Sequence, residues 1–236
     1  MALPKLDTPV YTLKLPSTQE EIKYRPFLVK EQKLLMMAQE NGEETDLAET
    51  MMQVIDSCTF GKVNVQESPL FDIEYIFLKL RAKSIGETAT LRVLCPDDEK
   101  THANVKVNLD SLEVQMTENH TNEIQLTEKI KMIMKYPQLK DMKGLQTLDT
   151  SQTQQIFYLL KHCIMEVHDG DKIYNRVDVT DKDIEDFIES FDNDQLQLII
   201  NFFQTMPKVR HIMNVTNPKT KVKSEIVLEG LESFLG

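Results

Sequence analysis

The sequence predicts an α+β fold, with helices clustered beside two or three small antiparallel β-hairpins and no long parallel sheet. Three observations lead there. The stretch Ser68–Gly86 carries two apolar stripes at helical spacing. Short, partly alternating segments flank polar turns that contain proline, at Pro16–Gln19, Pro96–Lys100 and Thr216–Ser224. Strands and helices do not alternate in the regular pattern of a doubly wound sheet.

Val10–Leu15 (VYTLKL) and Glu21–Phe27 (EIKYRPF) read as a strand pair, and Pro26 confines the second to an edge or ends it. A helix is expected from about Lys30, carrying Leu34, Leu35 and Ala38, with a break at Asn41–Gly42. Leu47, Met51, Val54, Ile55 and Cys58 then recur at helical spacing in an amphipathic segment ending near Gly61. In the next helix Ser68 suits the N-cap, Pro69 the first helical position and Gly86 the end. Asp72 and Glu74 lie early in it, Lys79, Arg81 and Lys83 late, as the helix dipole favours. Leu70, Ile73, Phe77 and Leu80 make one stripe; Phe71, Tyr75 and Leu78 make another. A helix apolar over most of its circumference is packed on several sides, so this one is read as scaffold.

Thr88–Cys95 and Ala103–Leu109 form the next hairpin, followed by a polar break at Glu118–Asn122. A short helix is expected over Thr127–Tyr136 and a loop over Pro137–Gly144. Ser151 and Gln154 match a capping box, and Ile156, Leu159, Leu160, Cys163, Ile164 and Val167 mark one helical face behind it. The turn His168–Asp171 leads to an extended piece, Lys172–Val177. Thr180 with Asp183 resembles a second cap, before the stripe Ile184, Phe187, Ile188 and Phe191. A third helix starts at Asn193 or Asp194, bears Leu196, Ile199, Ile200 and Phe203, and stops at Pro207. Val209–Val215 and Glu225–Leu228 make the last hairpin, and Gly230–Phe234 a final helical turn. The segments RVLCPDDEKTHANVKVNLDSLE and IMNVTNPKTKVKSEIVLEGLES echo one another weakly, a pattern that unrelated hairpins also produce. The expected division is an N-terminal α+β half, residues 1–120, and a C-terminal helical half, residues 121–236, ending in a hairpin; the alternative is one shared core.

The chain has 236 residues, enough for a sizeable core in one domain or two small ones. With 38 Asp and Glu against 27 Lys and Arg, its net charge of −11 argues against a nucleic-acid module. The basic run Lys219–Lys223 is too short to overturn this and reads as a solvated turn. No apolar run approaches the ~20 residues of a membrane helix, and MALPKLDTPV lacks the apolar core of a signal peptide. Cys58, Cys95 and Cys163 are too few and too irregular for a disulfide framework, which fits a reducing site of synthesis. Twelve methionines and no tryptophan suit an adaptable core or interface.

Candidate chemistry is thin. Cys95-Pro-Asp-Asp-Glu with His102 matches the knuckle of a zinc ribbon at its first ligand only, with Asp98 in the second position and no cysteine near Asn214–Pro218. An unmetallated hairpin is therefore expected. His168-Asp-Gly-Asp171 does not continue into calcium-loop spacing, because Asp178 and Asp181 fall off register. Cys163 lies on an apolar helix face and His162 on another, so they form no nucleophile–base pair. Asp181, Asp183, Glu185 and Asp186 read as a solvated helix face, and seven glycines leave no phosphate-binding loop. No enzyme, cofactor or metal is expected.

Three blocks stand out together: Met1–Leu35 (ALPKLDTPVYTLKLPST, then IKYRPFLVKEQKLL); Phe71–Glu87 (FDIEYIFLKLRAKSIGE) leading into the Cys95-Pro hairpin; and HDGDKIYNRVDVTDKDIEDFIESF, FFQTMPKV and EIVLEGLESFLG in the closing half. In combination and order they resemble the T4-like baseplate hub proteins of contractile-tailed phages. The resemblance implies a non-enzymatic hub subunit or hub-assembly protein, made in the cytoplasm of the infected bacterium and acting in the tail baseplate. Its partners would be other tail proteins (hub, tail tube or tape measure), with no nucleic acid and no membrane. The alternatives are a tail-assembly chaperone absent from the mature virion and a metal-binding module centred on Cys95 and His102. Aromatic and methionine anchors are the interface candidates: Tyr24, Phe27, Phe202, Phe203, Met206 and Phe234, each weighed against ordinary core packing. Arg25 and Arg81 are expected in structural pairing, since a buried Arg needs a carboxylate.

Overall fold

The computed structural model describes residues 6–41, 44–146 and 151–234. The chain divides into two compact units: Met1–Gln115 with Lys208–Gly236, and Met116–Pro207. The closing hairpin thus belongs with the first unit and not with a C-terminal half. The reason is a strand pairing: Val209 and Lys208 lie opposite Val114 and Gln115.

In the first unit, β1 (Tyr11–Lys14) and β2 (Glu21–Tyr24) pair antiparallel, with Tyr11 opposite Tyr24. Helices α1 (Val29–Asn41), α2 (Glu44–Cys58) and α3 (Leu70–Ser84) follow. The expected break at Asn41–Gly42 separates α1 from α2; Gly42 itself lies outside the described residues. Helix α3 is the buried scaffold that its two stripes predict, with Phe71, Ile73, Tyr75, Ile76, Phe77, Leu78, Leu80 and Ala82 all buried. Its start differs from expectation. Pro69 occupies the N-cap without a side-chain cap, because the Ser68 hydroxyl donates back to the Asn64 carbonyl at 2.9 Å. Asp72, buried in the first turn of α3, instead accepts from the backbone N–H of Ser17 at 3.0 Å and from its hydroxyl, fastening the first hairpin turn to the helix. Asp72→Ala leaves both donors without that acceptor and is expected to cost about 1–3 kcal/mol in denaturant unfolding.

Strands β3 (Thr88–Leu94) and β4 (His102–Asn108) form the second hairpin. Their alternation is the sequence pattern made physical: Ala89 and Leu91 face Val107 and Val105 on the buried side. A short 3-10 turn and β5 (Val114–Gln115) follow.

The second unit holds the sheet β6 (Glu123–Gln125), β7 (Ile130–Met134), β8 (Ile164–Asp169) and β9 (Lys172–Asn175), in that order and antiparallel. It also holds α4 (Leu139–Gln146), α5 (Gln152–Cys163), α6 (Asp181–Glu189) and α7 (Asn193–Thr205). Three expectations are corrected here. The helix placed at Thr127–Tyr136 is strand β7: Lys and Met favour helices, but Met132 and Met134 are buried at period two against β8. The loop placed at Pro137–Gly144 is largely α4, started by the Asp141 carboxylate, which accepts from the Gln138 N–H at 2.9 Å. The helical face drawn through Val167 ends at Cys163, and the chain turns directly into β8. The capping boxes at Ser151/Gln154 and Thr180/Asp183 are present, and a third, Asp192/Gln195, starts α7. The core of this unit joins Met132, Met134, Leu160, Cys163, Ile164, Ile184, Ile199 and Phe202.

The chain returns to the first unit with β10 (Lys208–Thr216) and β11 (Lys223–Glu229), then a 3-10 turn, Leu231–Phe234.

Candidate functional site

The side chains that sequence reasoning brings forward as anchors fall in two places. Tyr24, Phe27 and Phe234 are buried in the first unit, and Phe202 is buried in the second. Tyr24 packs 5.7 Å from the Tyr11 ring, and the Phe27 N–H donates to Ser84 Oγ at 2.9 Å. These four side chains pack the interior of the chain. Phe203 and Met206 are half-buried; Phe203 meets Phe202 edge-on at 5.2 Å.

His120 completes an aromatic cluster with Tyr136 and Phe202, at ring separations of 5.6 and 5.3 Å. The Thr205 hydroxyl donates to the Asn201 carbonyl, so His120 Nδ1 is the donor in the 2.9 Å contact with Thr205 Oγ1. Burial pushes the imidazole pKa down, and the neutral ring leaves a buried Nε2 with no hydrogen-bond partner among the described residues. This is a packed ring more than a general base.

The thiols are equally inert. All three are buried and free, and burial raises Cys58 to about 11 and Cys163 to about 12, far from thiolate at neutral pH. Among the described residues no three His, Cys, Asp or Glu side chains gather in a way that could hold a metal ion.

What the Cys95 knuckle does instead is visible at the hairpin tips. Asp97 accepts from Asn217 Nδ2 at 2.9 and 3.1 Å and from Thr220 Oγ1 at 2.5 Å, tying the β3–β4 turn to the β10–β11 turn. Asp98, in the position of the second ribbon ligand, caps its own turn by accepting from the N–H and hydroxyl of Thr101 at 2.9 and 2.6 Å. A C-x-x-D and an N-x-x-T thus stand where a zinc ribbon places two C-x-x-C pairs, and a polar clasp joins them. The backbone turn is shared as well. Glu99 N–H donates to Cys95 O and Lys221 N–H to Asn217 O, both at 3.0 Å, with proline second in the turn and a positive φ (49° and 64°) fifth. The first hairpin repeats it: Gln19 N–H donates to Leu15 O at 2.8 Å, with φ of 61°. The weak internal echo is therefore a turn chemistry that three hairpins use.

The Thr220 and Asn217 bonds hold the Asp97 carboxyl below the usual carboxylate range. A lowered pKa in the folded chain means that the clasp is fully present above the ordinary Asp value and is lost as pH falls through the folded one. Asp97→Ala is expected to speed amide exchange at both tips while leaving α3 unchanged; equal rates at the tips would show that the clasp does not hold them.

One exposed apolar surface lies elsewhere, on α1. Val29 is 80 % exposed, Met36 55 % and Met37 51 %, with Leu28 and Leu34 beside them. Next to this face is a hollow of about 210 Å³, bounded by Phe27, Leu35, Met51, Phe77, Arg81 and Ile85. The signal was in the sequence: Leu34, Leu35, Met36 and Met37 are consecutive, and one helix face cannot bury four in a row.

No curated protein and no solved structure matches the chain significantly. The family model of the T4 bacteriophage base plate protein matches residues 8–236, nearly end to end, and the chain belongs to that family.

Proposed function

We propose that this chain is a baseplate hub subunit or hub-assembly protein that catalyses nothing and acts by binding other tail proteins, whether hub, tail-tube or tape-measure. Family membership supports the baseplate setting. The observation that carries the mode of action is the α1 face, where Val29, Leu34, Met36 and Met37 stand in water beside a hollow of mixed polarity. Exposed apolar surface of this kind marks interaction sites, and methionine adapts to the shape of a partner.

Quantitative mass spectrometry of purified particles beside infected-cell lysate tests the reading. Fixed stoichiometry in the particle makes the chain a subunit; abundance in the lysate with absence from the particle makes it an assembly protein. Free chain in the lysate, bound to nothing, contradicts both. The double change Met36→Glu and Met37→Glu is expected to weaken association on the order of tenfold or more, the scale of lost interface anchors, while leaving the circular dichroism spectrum unchanged.

A further inference from the structure

We infer that the outer edge of β9, with the apolar cavity behind it, receives an extended, basic segment of a partner protein as a fifth strand of the second unit's sheet. This deepens the reading of the chain as a contact protein and rests on it. Strand β9 is the last in the order β6-β7-β8-β9, and all four of its residues are exposed. The two-residue turn Gly170–Asp171 sets Asp169 opposite Lys172 and Val167 opposite Tyr174. In such a hairpin the residues flanking the turn exchange hydrogen bonds, so Lys172 and Tyr174 bond inward to β8. The backbone N–H and C=O of Ile173 and Asn175 then point outward, where no strand of the described chain meets them. Sheet edges are commonly blunted by proline, bulges or charge. This one carries Lys172 beside the turn but also presents Ile173, 55 % exposed, and Tyr174, 43 % exposed.

The register places a cavity where an added strand would use it. Ile124, Met132, Val167 and Tyr174 follow one another across one face of the sheet. On that face lies a largely apolar cavity of about 240 Å³, walled by Val167 and Tyr174 from the sheet and by Ile184 and Phe187 from α6, with Asp169 and Arg176 also in its lining. A fifth strand continues the pleat, so alternate side chains fall beside Tyr174, over the cavity. Strand addition then supplies affinity through the backbone and selectivity through the pocket.

Charge selects the partner. Between Glu166 and Asp194 there are eleven Asp and Glu against three Lys and Arg. Asp169 precedes the turn into β9 and Asp171 lies in it, and Asp186 and Glu189 stand exposed on α6. A segment that alternates apolar residues with Lys or Arg complements this surface, while acidic peptides and anionic lipid are repelled.

The test selects a displayed library of random peptides on the full-length chain. Enriched peptides are expected to alternate apolar and basic residues and, as synthetic peptides, to slow amide exchange at Ile173 and Asn175. Ile173→Pro removes an outward N–H without touching the β8 ladder, and Val179→Phe fills the cavity from its rim; each is expected to weaken binding by on the order of tenfold. The surface pair Asp171→Lys and Asp186→Lys, outside the ladder, should weaken it similarly should either of the others misfold. Absence of enrichment, enriched peptides that protect other residues, or affinity indifferent to all three changes overturns the proposal. Tail-protein association that persists in the Ile173→Pro chain would refute this site alone; its absence in the unaltered chain would refute the broader reading.

Discussion

Replacing Glu31 by alanine is expected to cost about 3–5 kcal/mol, because it strands a largely buried guanidinium. The Glu31 carboxylate is buried and accepts from Arg25 Nη2 at 2.9 Å, from the Leu28 N–H at 2.8 Å and from Ser57 Oγ at 3.3 Å. It therefore caps the start of α1 and pairs the residue that joins β2 to α2, whose backbone N–H donates to Cys58 O at 3.0 Å. Burial alone would raise its pKa, but the Arg25 and Leu28 hydrogen bonds, with the Arg25 charge, outweigh it and hold the carboxyl at about 2 against an ordinary 4.5. The unfolded chain thus takes up this proton more readily than the folded one. The stabilisation is complete above pH 4.5 and is lost as pH falls through about 2. In thermal melts of Glu31→Ala the first unit is expected to lose roughly 10 °C at neutral pH, and the difference from the unaltered chain should shrink towards pH 2. A deficit independent of pH would assign the loss to packing alone. Glu31→Gln keeps the shape and separates the two.

The second large effect is expected at Leu78. It is fully buried at the middle of α3, and Leu78→Ala leaves a cavity that a helix packed on several sides cannot collapse around. The expected cost is about 2–5 kcal/mol in denaturant unfolding, without a change in the slope of free energy against denaturant. Leu34→Ala on the exposed face of α1 is the matched control and should stay within about 0.5 kcal/mol. Equal costs at the two positions would mean that α3 is not the scaffold.

The parts of the fold that were legible are those in which a local signal and the tertiary packing agree. The double stripe of α3, the hairpin alternation at Ala89–Leu91 and Val105–Val107, the two expected capping boxes and the stop at Pro207 all belong to this class. The misread segments are those in which neighbours decide. Lys131–Lys135 is locally a good helix former, yet it sits between β6 and β8, where only the alternation of Met132 and Met134 matters. Gly144 and Pro137 look like loop punctuation, but α4 gets its start from Asp141 and tolerates the glycine. The return of Lys208–Glu229 to the first unit follows from a two-residue pairing with Val114–Gln115, which no periodicity announces.

The same divide runs through the candidate surfaces. An apolar stripe states that a side chain is shielded, and cannot state by what; Tyr24, Phe27, Phe202 and Phe234 are shielded by this chain itself. Surplus was the better signal. Four consecutive large apolar residues in α1 exceed what one buried face can use.

The central claim is that this baseplate-family protein works through contacts with other tail proteins. The most direct measurement co-expresses the full chain with each tail protein of the same phage, captures it and determines the mass of what elutes. The account predicts a complex of defined stoichiometry with at least one of them, weakened by Met36→Glu with Met37→Glu. A folded chain that elutes alone from every pairing would contradict it.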